Sequence, residues 1–445
     1  MTSNDSTTKS HAEHALETIY GEKDAPFSED EFSDRLRRVR QEMATREIDT
    51  LIVSDPANLY YLSGYQCSWY QDGRPKNWYP ASCIAVNVNA DDFIYFEDID
   101  EVINSRITSI TRDIRPTVLA LTGWHEQDSA EAVGADDPRS AILPAGEVFP
   151  GRAIAKELKA EGWLGGNVAL EFWSYRPNRG YSELFQAEIE REGVRAIVDG
   201  SDVVNRVRRI KSPQELAYIH DAARIAELGI EAAFKAMRPG VMEIEVWAEA
   251  DYAMAKRGGE HSAIQKMMGS GEKSHSLHGH ASRRRLQHGD IINMDLSGVV
   301  RRYHSNLARS FSIGEPSAEV RAQVDRTNRV FEATFKAMHP GVRVLEFLDA
   351  GRAVAEAEGI WNDVWWFGGY ELGIAFPPCW VGDFVYDHRS AKPDDTLEPG
   401  FVGNHEFNFY LPGGHGIREL IDTFEVTSSE IRWMHDFPKD LVVVD

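Results

Sequence analysis

The sequence has few cysteines, no long apolar run and no apolar leader, and each absence excludes a class of protein. Its three cysteines, Cys67, Cys83 and Cys379, form no CxxC pair, so we expect no disulfide framework. No stretch approaches the roughly 18 consecutive apolar residues typical of a transmembrane helix. The polar opening segment lacks the apolar core of a signal peptide. We therefore expect a cytoplasmic protein.

Basic side chains are also scarce, because 48 of them face 71 acidic ones and give a formal charge of −23. Nucleic-acid binding requires a basic surface that neutralises phosphates, and an anionic membrane repels an acidic protein. We expect neither partner. The short basic run Arg283–Arg285 is interpreted as a solvated or salt-bridged turn rather than an anion site.

The composition changes twice along the chain. Residues 1–27 are polar and charged, which predicts a flexible extension or an arm that orders on a partner subunit. Residues 28–207 alternate strand-like and helix-like segments and predict an α/β domain. Ser212-Pro213-Gln214-Glu215 has the form of a capping box and predicts the start of a helix that reaches about Met237. A second domain therefore covers residues 208–445.

The second domain contains an internal repeat. The segment from Glu231 to Val241 recurs 101 residues later from Glu332 to Val342, with nine of eleven positions identical. Each copy has the form of a helix end followed by a Pro-Gly stop. Two copies are too few for a solenoid. The repeat predicts a duplicated α+β unit around a pseudo-two-fold axis, with a ligand cleft between the halves.

Several segments of this domain resemble the creatinase/prolidase/aminopeptidase P family. They are KSPQELAYIHDAARIA (211–226), GDIINMDLSGVVRRYHSNLARSFSIGEP (289–316), GGYELGIAFPPCW (368–380), LEPGFVGNHEFNFYL (397–411) and GIRELIDTFEVT (416–427). The resemblance implies an α/β (α+β) fold class, with a creatinase-type N-terminal domain and a C-terminal "pita-bread" domain of two related halves. That architecture agrees with the repeat.

The family's peptidases hold two divalent ions with two aspartates, one histidine and two glutamates. By resemblance these five positions map to Asp295, Asn306, Tyr370, Glu406 and Ile421. Only two of them are carboxylates, whereas two ions carry four positive charges and need several deprotonated ligands. We therefore expect no metal cofactor. Replacement ligands from Glu371, His405 or Glu425 remain the alternative.

Two metal-independent members of the family, creatinase and ectoine hydrolase, match better. They imply hydrolysis of a C–N bond in a small zwitterion whose cationic carbon is flanked by nitrogens, as in an amidine or guanidino compound. YHSNLARSF and GYELGIAFPPCW resemble ectoine hydrolase, whereas His278, Glu406 and the GIRE stretch resemble creatinase. The substrate is therefore left open between these two types.

The resemblance assigns the chemistry to three residues. His278 matches the creatinase histidine that relays protons between water and the leaving nitrogen, a role that suits imidazole. The alternative is a solvated loop histidine. Asp295 and Glu406 lie in apolar runs and are expected to bind and polarise the cationic centre. Their structural alternatives are buried ion pairs, Asp295 with Arg309 and Glu406 with Arg418.

The expected substrate-binding residues are aromatic or basic. Trp366, Tyr370 and Trp380 lie in an aromatic, glycine-interrupted stretch that predicts a pocket wall, although core packing is the plainer explanation. Arg389 and Arg418 are candidates for the substrate carboxylate. Tyr70 and Arg74 lie near the residues that creatinase contributes across its dimer interface. We therefore expect a homodimer in which the second chain completes each active site.

Three rival functions remain open. One is a metal-dependent Xaa-Pro dipeptidase or aminopeptidase with altered ligands, and another is a lyase acting on an onium compound. The third is a non-catalytic member of the family.

Overall fold

The chain divides between residues 208 and 209. In the computed structural model, which describes residues 24–66, 82–98, 101–111, 113–117, 150–174 and 176–444, the two compact units are Met1–Arg208 and Arg209–Asp445. The sequence placed this boundary one residue earlier. None of the helices in these described ranges combines the length and apolarity needed to cross a membrane.

The first unit is a mixed α/β domain. Its described elements are α1 Glu29–Thr45, β1 Thr50–Val53, α2 Pro56–Ser63, β2 Cys83–Asn87, β3 Ile94–Asp98, α3 Val102–Thr108, β4 Ile114–Thr117, α4 Pro150–Ala160, β5 Asn167–Leu170, α5 Arg179–Arg191, β6 Ala196–Asp199 and α6 Ser201–Arg208. The sheet order is β4-β3-β2-β1-β5-β6, with β1 parallel to β5 and antiparallel to β2.

The predicted extension of residues 1–27 is too long at its C-terminal end. Residues 1–23 lie outside the described part of the chain, but Phe27 is buried, and the Arg35 guanidinium lies 3.8 Å from its ring centroid. Ser28 then caps α1 by accepting the Glu31 N–H. The folded domain therefore begins before residue 28.

The second unit is built on a ten-stranded sheet. Its elements are α7 Pro213–Ala236, α8 Glu243–Ala255, β7 Met267–Ser270, β8 Ile291–Leu296, β9 Val299–Val300, β10 Tyr303–His304, β11 Leu307–Ile313, α9 Ala318–Ala337, α10 Val344–Ala357, β12 Val364–Tyr370, β13 Val385–Asp387, β14 Val402–Tyr410, β15 Ile417–Arg418, β16 Ile421–Val426, β17 Ile431–Trp433 and β18 Val442–Val444. The main order is β13-β12-β14-β16-β11-β8-β7, and β15, β17 and β18 pair with β14, β16 and β11.

The sequence repeat is a structural duplication. Helices α7 and α9 end 101 residues apart, and helices α8 and α10 begin with the same offset. Both connections turn at a glycine in the left-handed region, Gly240 with φ +90° and Gly341 with φ +79°. The halves meet at the centre of the sheet, where Ala308 of β11 lies opposite Ile421 of β16. The pseudo-two-fold axis therefore passes between β11 and β16.

Candidate active site

One face of the central sheet is apolar and the other is polar. On β8, the side chains of Ile292 and Met294 pack in the same hydrophobic core as residues of α7 and α8. Because side chains alternate along a strand, Asn293 and Asp295 project from the opposite face. On β14, Phe407 likewise packs with residues of α9 and α10, which leaves its polar neighbours on the other face.

The strand register aligns the residues of this polar face in three rows across the sheet. The rows are Asp295, Ala308, Ile421, Glu406 and Gly368; Asn293, Ser310, Glu419, Asn408 and Trp366; and Asn306, Thr423, Asn404 and Tyr370. All three rows cross the pseudo-two-fold axis. Acids from both halves therefore lie together on one polar face of the sheet, where the sequence predicts a cleft between the halves.

Three buried carboxylates face this surface: Asp295, Glu406 and Glu419. Asp295 Oδ1 accepts the Asn306 Nδ2–H at 2.6 Å, and Glu406 accepts amide N–H groups from Asn404 at 3.3 Å and Asn408 at 2.8 Å. Glu419 Oε2 is buried without a hydrogen-bond partner. Among the described residues, no arginine or lysine forms an ion pair with any of the three acids.

The electrostatic consequence is a strong rise in carboxyl pKa. Burial raises the pKa of Asp295 well above its usual value, and the nearby Glu406 charge raises it further. The same burial, with the charges of Asp295 and Glu406, raises the pKa of Glu419. Burial raises the pKa of Glu406 to about 7 despite opposing hydrogen bonds. The pocket therefore either retains protons or requires a cation.

A directional chain of hydrogen bonds fixes the Asn306 amide. The Trp380 indole N–H, which is only a donor, donates to the Tyr370 hydroxyl at 3.0 Å, and this hydroxyl lies 3.3 Å from Asn306 Oδ1. Asn404 Nδ2 also donates to Asn306 Oδ1, at 2.7 Å. The NH₂ group of Asn306 is therefore directed at Asp295. The Trp366 ring stacks on Tyr370, with centroids 6.3 Å apart, so all three predicted wall aromatics lie in the second unit around this amide.

His278 lies in an exposed turn at the edge of the polar face. Nearby, Asn293 of the polar face donates to the Ser274 carbonyl at 3.1 Å. His280 forms a bridge with Met267, which lies opposite Asp295 in the sheet. The His278 ring itself contacts the Trp365 ring of β12, with centroids 5.8 Å apart. The segment that carries His278 therefore reaches from β7 towards β12.

The two structural alternatives for the acids are wrong. Arg309 pairs with Asp422 at 3.0 Å rather than with Asp295. Arg418 is directed away from Glu406, because it alternates with Glu419 along the strand and donates to the Thr327 hydroxyl of α9 at 2.7 Å. The structure thus leaves Arg418 out of the site in which we predicted it.

The other predicted substrate residues also lie away from the acids or outside the described ranges. Arg389 is exposed and pairs with Asp387 at 3.1 Å, so the structure does not bring it to the acids. Tyr70 and Arg74 fall outside the described residues.

Glu419 is a third buried carboxylate on this face, and the sequence analysis did not include it among the candidate site residues. The resemblance maps the fifth ligand position, a glutamate in the family's peptidases, to Ile421, but Ile421 lies between Ala308 and Glu406, and Glu419 occurs two residues earlier on the same face. Three carboxylates therefore face the pocket, not two. The alternation of Glu419, Ile421 and Thr423 along GIRELIDTF is the signal that would have found it.

None of the three proposed replacement ligands lies with the three buried acids. Glu371 pairs with Lys211 at 2.6 Å, and Glu425 contacts His220 at 2.9 Å. His405 packs among aromatic rings on the helix side of β14, where burial lowers its pKa to about 3.

The pseudo-symmetry explains which acid is missing. It relates Asp295 to Glu406 and Asn306 to Glu419. Two equivalent hydrogen bonds show the second relation. Thr423 Oγ1 accepts the Asn306 N–H at 2.8 Å, and Ser310 Oγ accepts the Glu419 N–H at 2.7 Å. A fully symmetric site would carry four acids. Asn306 replaces the fourth with an amide.

A two-ion metal centre does not fit these residues. Asn306 directs its N–H towards Asp295 instead of offering two carboxylate oxygens. Tyr370 occupies the position of the family's histidine, and burial raises its pKa well above the usual value, so it remains a neutral phenol. In the part of the chain that the structure describes, no group of three or more His, Cys, Asp or Glu side chains has the arrangement of a metal site.

The duplicated sheet with acids at its axis defines a pita-bread hydrolase. The model of metallopeptidase family M24 matches residues 217–428, and that of the creatinase/prolidase N-terminal domain matches residues 35–210. The chain belongs to this creatinase/prolidase M24 family.

Relatives of two activities resemble the chain. Ectoine hydrolase of Halomonas elongata is 26% identical over 442 residues, covering 94% of this chain and 98% of that protein. The Xaa-Pro dipeptidase of Pyrococcus furiosus is 27% identical over 258 residues, covering 57% and 70%. The prolidase structure from Pyrococcus horikoshii superposes with a TM-score of 0.70 at 19% identity, covering 92% of this chain and 100% of that one, and shows the shared fold.

Proposed function

We propose that the protein is a metal-independent hydrolase that cleaves a C–N bond of a small zwitterionic amidine or guanidino compound. The observation that carries the proposal is the group of Asp295, Glu406 and Glu419, which share one face and have no ion pair with a cationic side chain in the described chain. An amidinium or guanidinium ion supplies both the positive charge and several N–H donors. Such planar cations bind carboxylates through paired N–H···O bonds.

Binding would also activate the substrate. Burial and mutual repulsion raise the pKa values of the three carboxyls and so favour their protonated forms in the free site. A bound cation displaces these protons and leaves its electron-poor carbon against the acids. The indole of Trp366 and the phenol of Tyr370, whose rings stack on each other, would flank the cation and exclude bulk water, which would strengthen the contacts.

The hydrolysis needs one water molecule and one proton relay. Water oxygen forms a bond to the cationic carbon, and a proton of that water passes to the His278 imidazole. The C–N bond then breaks, and His278 returns the proton to the leaving nitrogen. The position of His278 against Trp365, at the edge of the polar face, supports this role.

The anionic end of the substrate requires a different partner, since neither Arg389 nor Arg418 contacts the acids. We propose that Tyr70 and Arg74 of a second copy supply it. Mixing an Arg74→Ala variant with a His278→Ala variant tests this. If the sites are shared, one of the two sites in a mixed dimer combines the intact His278 of one copy with the intact Arg74 of the other, and activity returns. Failure of the mixture to exceed the separate variants would contradict the shared site.

Xaa-Pro dipeptidase activity is the second candidate, and two observations favour it. Such an enzyme is among the relatives, and Glu419 raises the number of acids to three. Metal analysis and a turnover screen separate the candidates. We expect chelator-treated protein to hydrolyse ectoine, creatine or a related amidine at the untreated rate. Stoichiometric bound metal with chelator-sensitive cleavage of Xaa-Pro dipeptides would support the peptidase instead.

A further inference from the structure

One buried carboxylate anchors both ends of the segment that carries His278. Glu243, the first residue of α8, is fully buried. Its Oε1 accepts the Ser270 N–H at 3.0 Å and the Ser270 hydroxyl at 2.6 Å. Its Oε2 accepts the Ser282 N–H at 2.9 Å and the Ser282 hydroxyl at 2.6 Å, and Lys273 Nζ lies 2.5 Å away.

This geometry requires an ionised carboxylate. Five donors converge on two oxygens, whereas the side chain of glutamine offers one acceptor oxygen and two N–H donors. Burial raises the pKa of Glu243, but the hydrogen bonds from Lys273, Ser270 and Ser282 outweigh it and hold that pKa below the usual value. Glu243 is therefore an anion committed to the two ends of the segment.

The fold itself does not demand an acid at this place. The equivalent residue in the second half, 101 positions later, is Val344, which is also buried and also begins a helix. The neighbouring contacts are conserved between the halves, because Met242 bridges Arg285 and Arg343 bridges Thr396. Of these two equivalent positions, only position 243 therefore carries a carboxylate. It lies in the half whose next segment, residues 270–282, carries His278.

We propose that Glu243 is a positioning residue that holds His278 against the polar face. The inference rests on the proposed function, in which His278 carries the proton. Release of either serine would free that end of the segment, and the imidazole would leave its place beside Trp365. Loss of position lowers the rate of the chemical step more than it weakens substrate binding.

The test compares Glu243→Gln with Glu245→Gln. Glu245 lies in the same turn of α8 and, among the described residues, accepts a hydrogen bond only from the Met242 N–H, so its variant is the matched control. For Glu243→Gln we expect hydrogen exchange of the amides of residues 271–281 to rise about tenfold or more, with exchange in β8 and β11 unchanged. We expect kcat to fall about tenfold or more, with KM changed less than about threefold.

A milder variant keeps the test decisive if Glu243→Gln does not fold. Ser282→Ala removes one hydroxyl donor to Glu243, and Ser282→Thr retains it. We expect faster exchange and a lower kcat for the alanine variant, with recovery in the threonine variant. Exchange and kcat equal to those of the Glu245→Gln control would overturn the proposal. Faster exchange in Glu243→Gln, together with an active His278→Ala variant, would instead support Glu243 as the residue that fixes the segment and would refute the proposed role of His278.

Discussion

Replacing Glu406 with glutamine tests the electrostatics of the pocket without a substrate. The pKa of this buried carboxyl is raised from 4.5 to about 7. Its neutral form is therefore the stable one, and its favourable contribution, complete below pH 4.5, is lost as the pH rises through 7. At ~1.36 kcal/mol for each pH unit, wild type loses about 3 kcal/mol in all, of which about 2 kcal/mol is lost between pH 5.5 and pH 8.5. Glutamine does not titrate and avoids this loss.

The substitution has its own cost, which does not depend on pH. Asn404 and Asn408 each donate an amide N–H to Glu406, and glutamine can accept only one of them, at a cost of about 1 kcal/mol. The free energy of unfolding of Glu406→Gln relative to wild type should therefore rise by about 2 kcal/mol between pH 5.5 and pH 8.5. Removal of the Glu406 charge also relieves Asp295 and Glu419, which acts in the same direction.

Urea unfolding of chelator-treated protein at the two pH values is the assay. The matched control is Glu425→Gln, because Glu425 lies on β16 of the same sheet but the hydrogen bond from His220 holds its pKa below the usual value. That variant should gain no stability at pH 8.5. An advantage of Glu406→Gln that is unchanged, or smaller, at pH 8.5 would refute the argument that burial raises the pKa of Glu406 and that its ionisation destabilises the free protein.

Three further substitutions test the site. Asn306→Asp restores the acid that pairs with Glu419 by pseudo-symmetry, so Mn²⁺ should bind it at least about tenfold more tightly than wild type in calorimetry. Asn408→Asp adds the same charge without that symmetry, and equal Mn²⁺ binding by both would contradict the argument. His278→Ala should lower turnover by about 10²-fold or more while leaving the unfolding midpoint unchanged; full turnover would remove it from the mechanism. Trp366→Ala should raise KM by roughly 3- to 30-fold, as expected for lost cation–π contact, and an unchanged KM would place the indole outside the binding site.

The duplicated architecture was predictable because its signals are local. Each Pro-Gly turn of the repeat lies between the end of one helix and the start of the next. The structure reproduces the offset of 101 residues for both the helix ends and the helix starts. Asp295 and Glu406 were found for a similar reason, since an acid within an apolar strand must face something other than the core. The apolar neighbours predicted that both acids are buried, whereas the resemblance supplied the role that we predicted for them.

The errors concern side-chain direction on short strands. Arg418 and Glu419 are neighbours, so one of them must face the helices and the other the pocket. Which residue faces the pocket depends on pairing with β14, where Phe409 lies opposite Arg418 and Glu406 opposite Ile421. That register joins residues distant in sequence. A one-residue change of register would have exchanged the two side chains.

The anchoring of Glu243 could not be read from the sequence. Ser270 and Ser282 lie 27 and 39 residues from it, and an acid at the first turn of a helix is ordinarily explained by the helix dipole. Only the fold brings both serines to one carboxylate.

The most direct measurement is a crystal structure of the protein at pH 8 with a simple amidinium ion such as acetamidinium. The account predicts a planar cation against Trp366 and Tyr370, with its nitrogens about 3 Å from oxygens of Asp295, Glu406 and Glu419. Two metal ions bridged by these carboxylates, in protein purified without added metal, would contradict it.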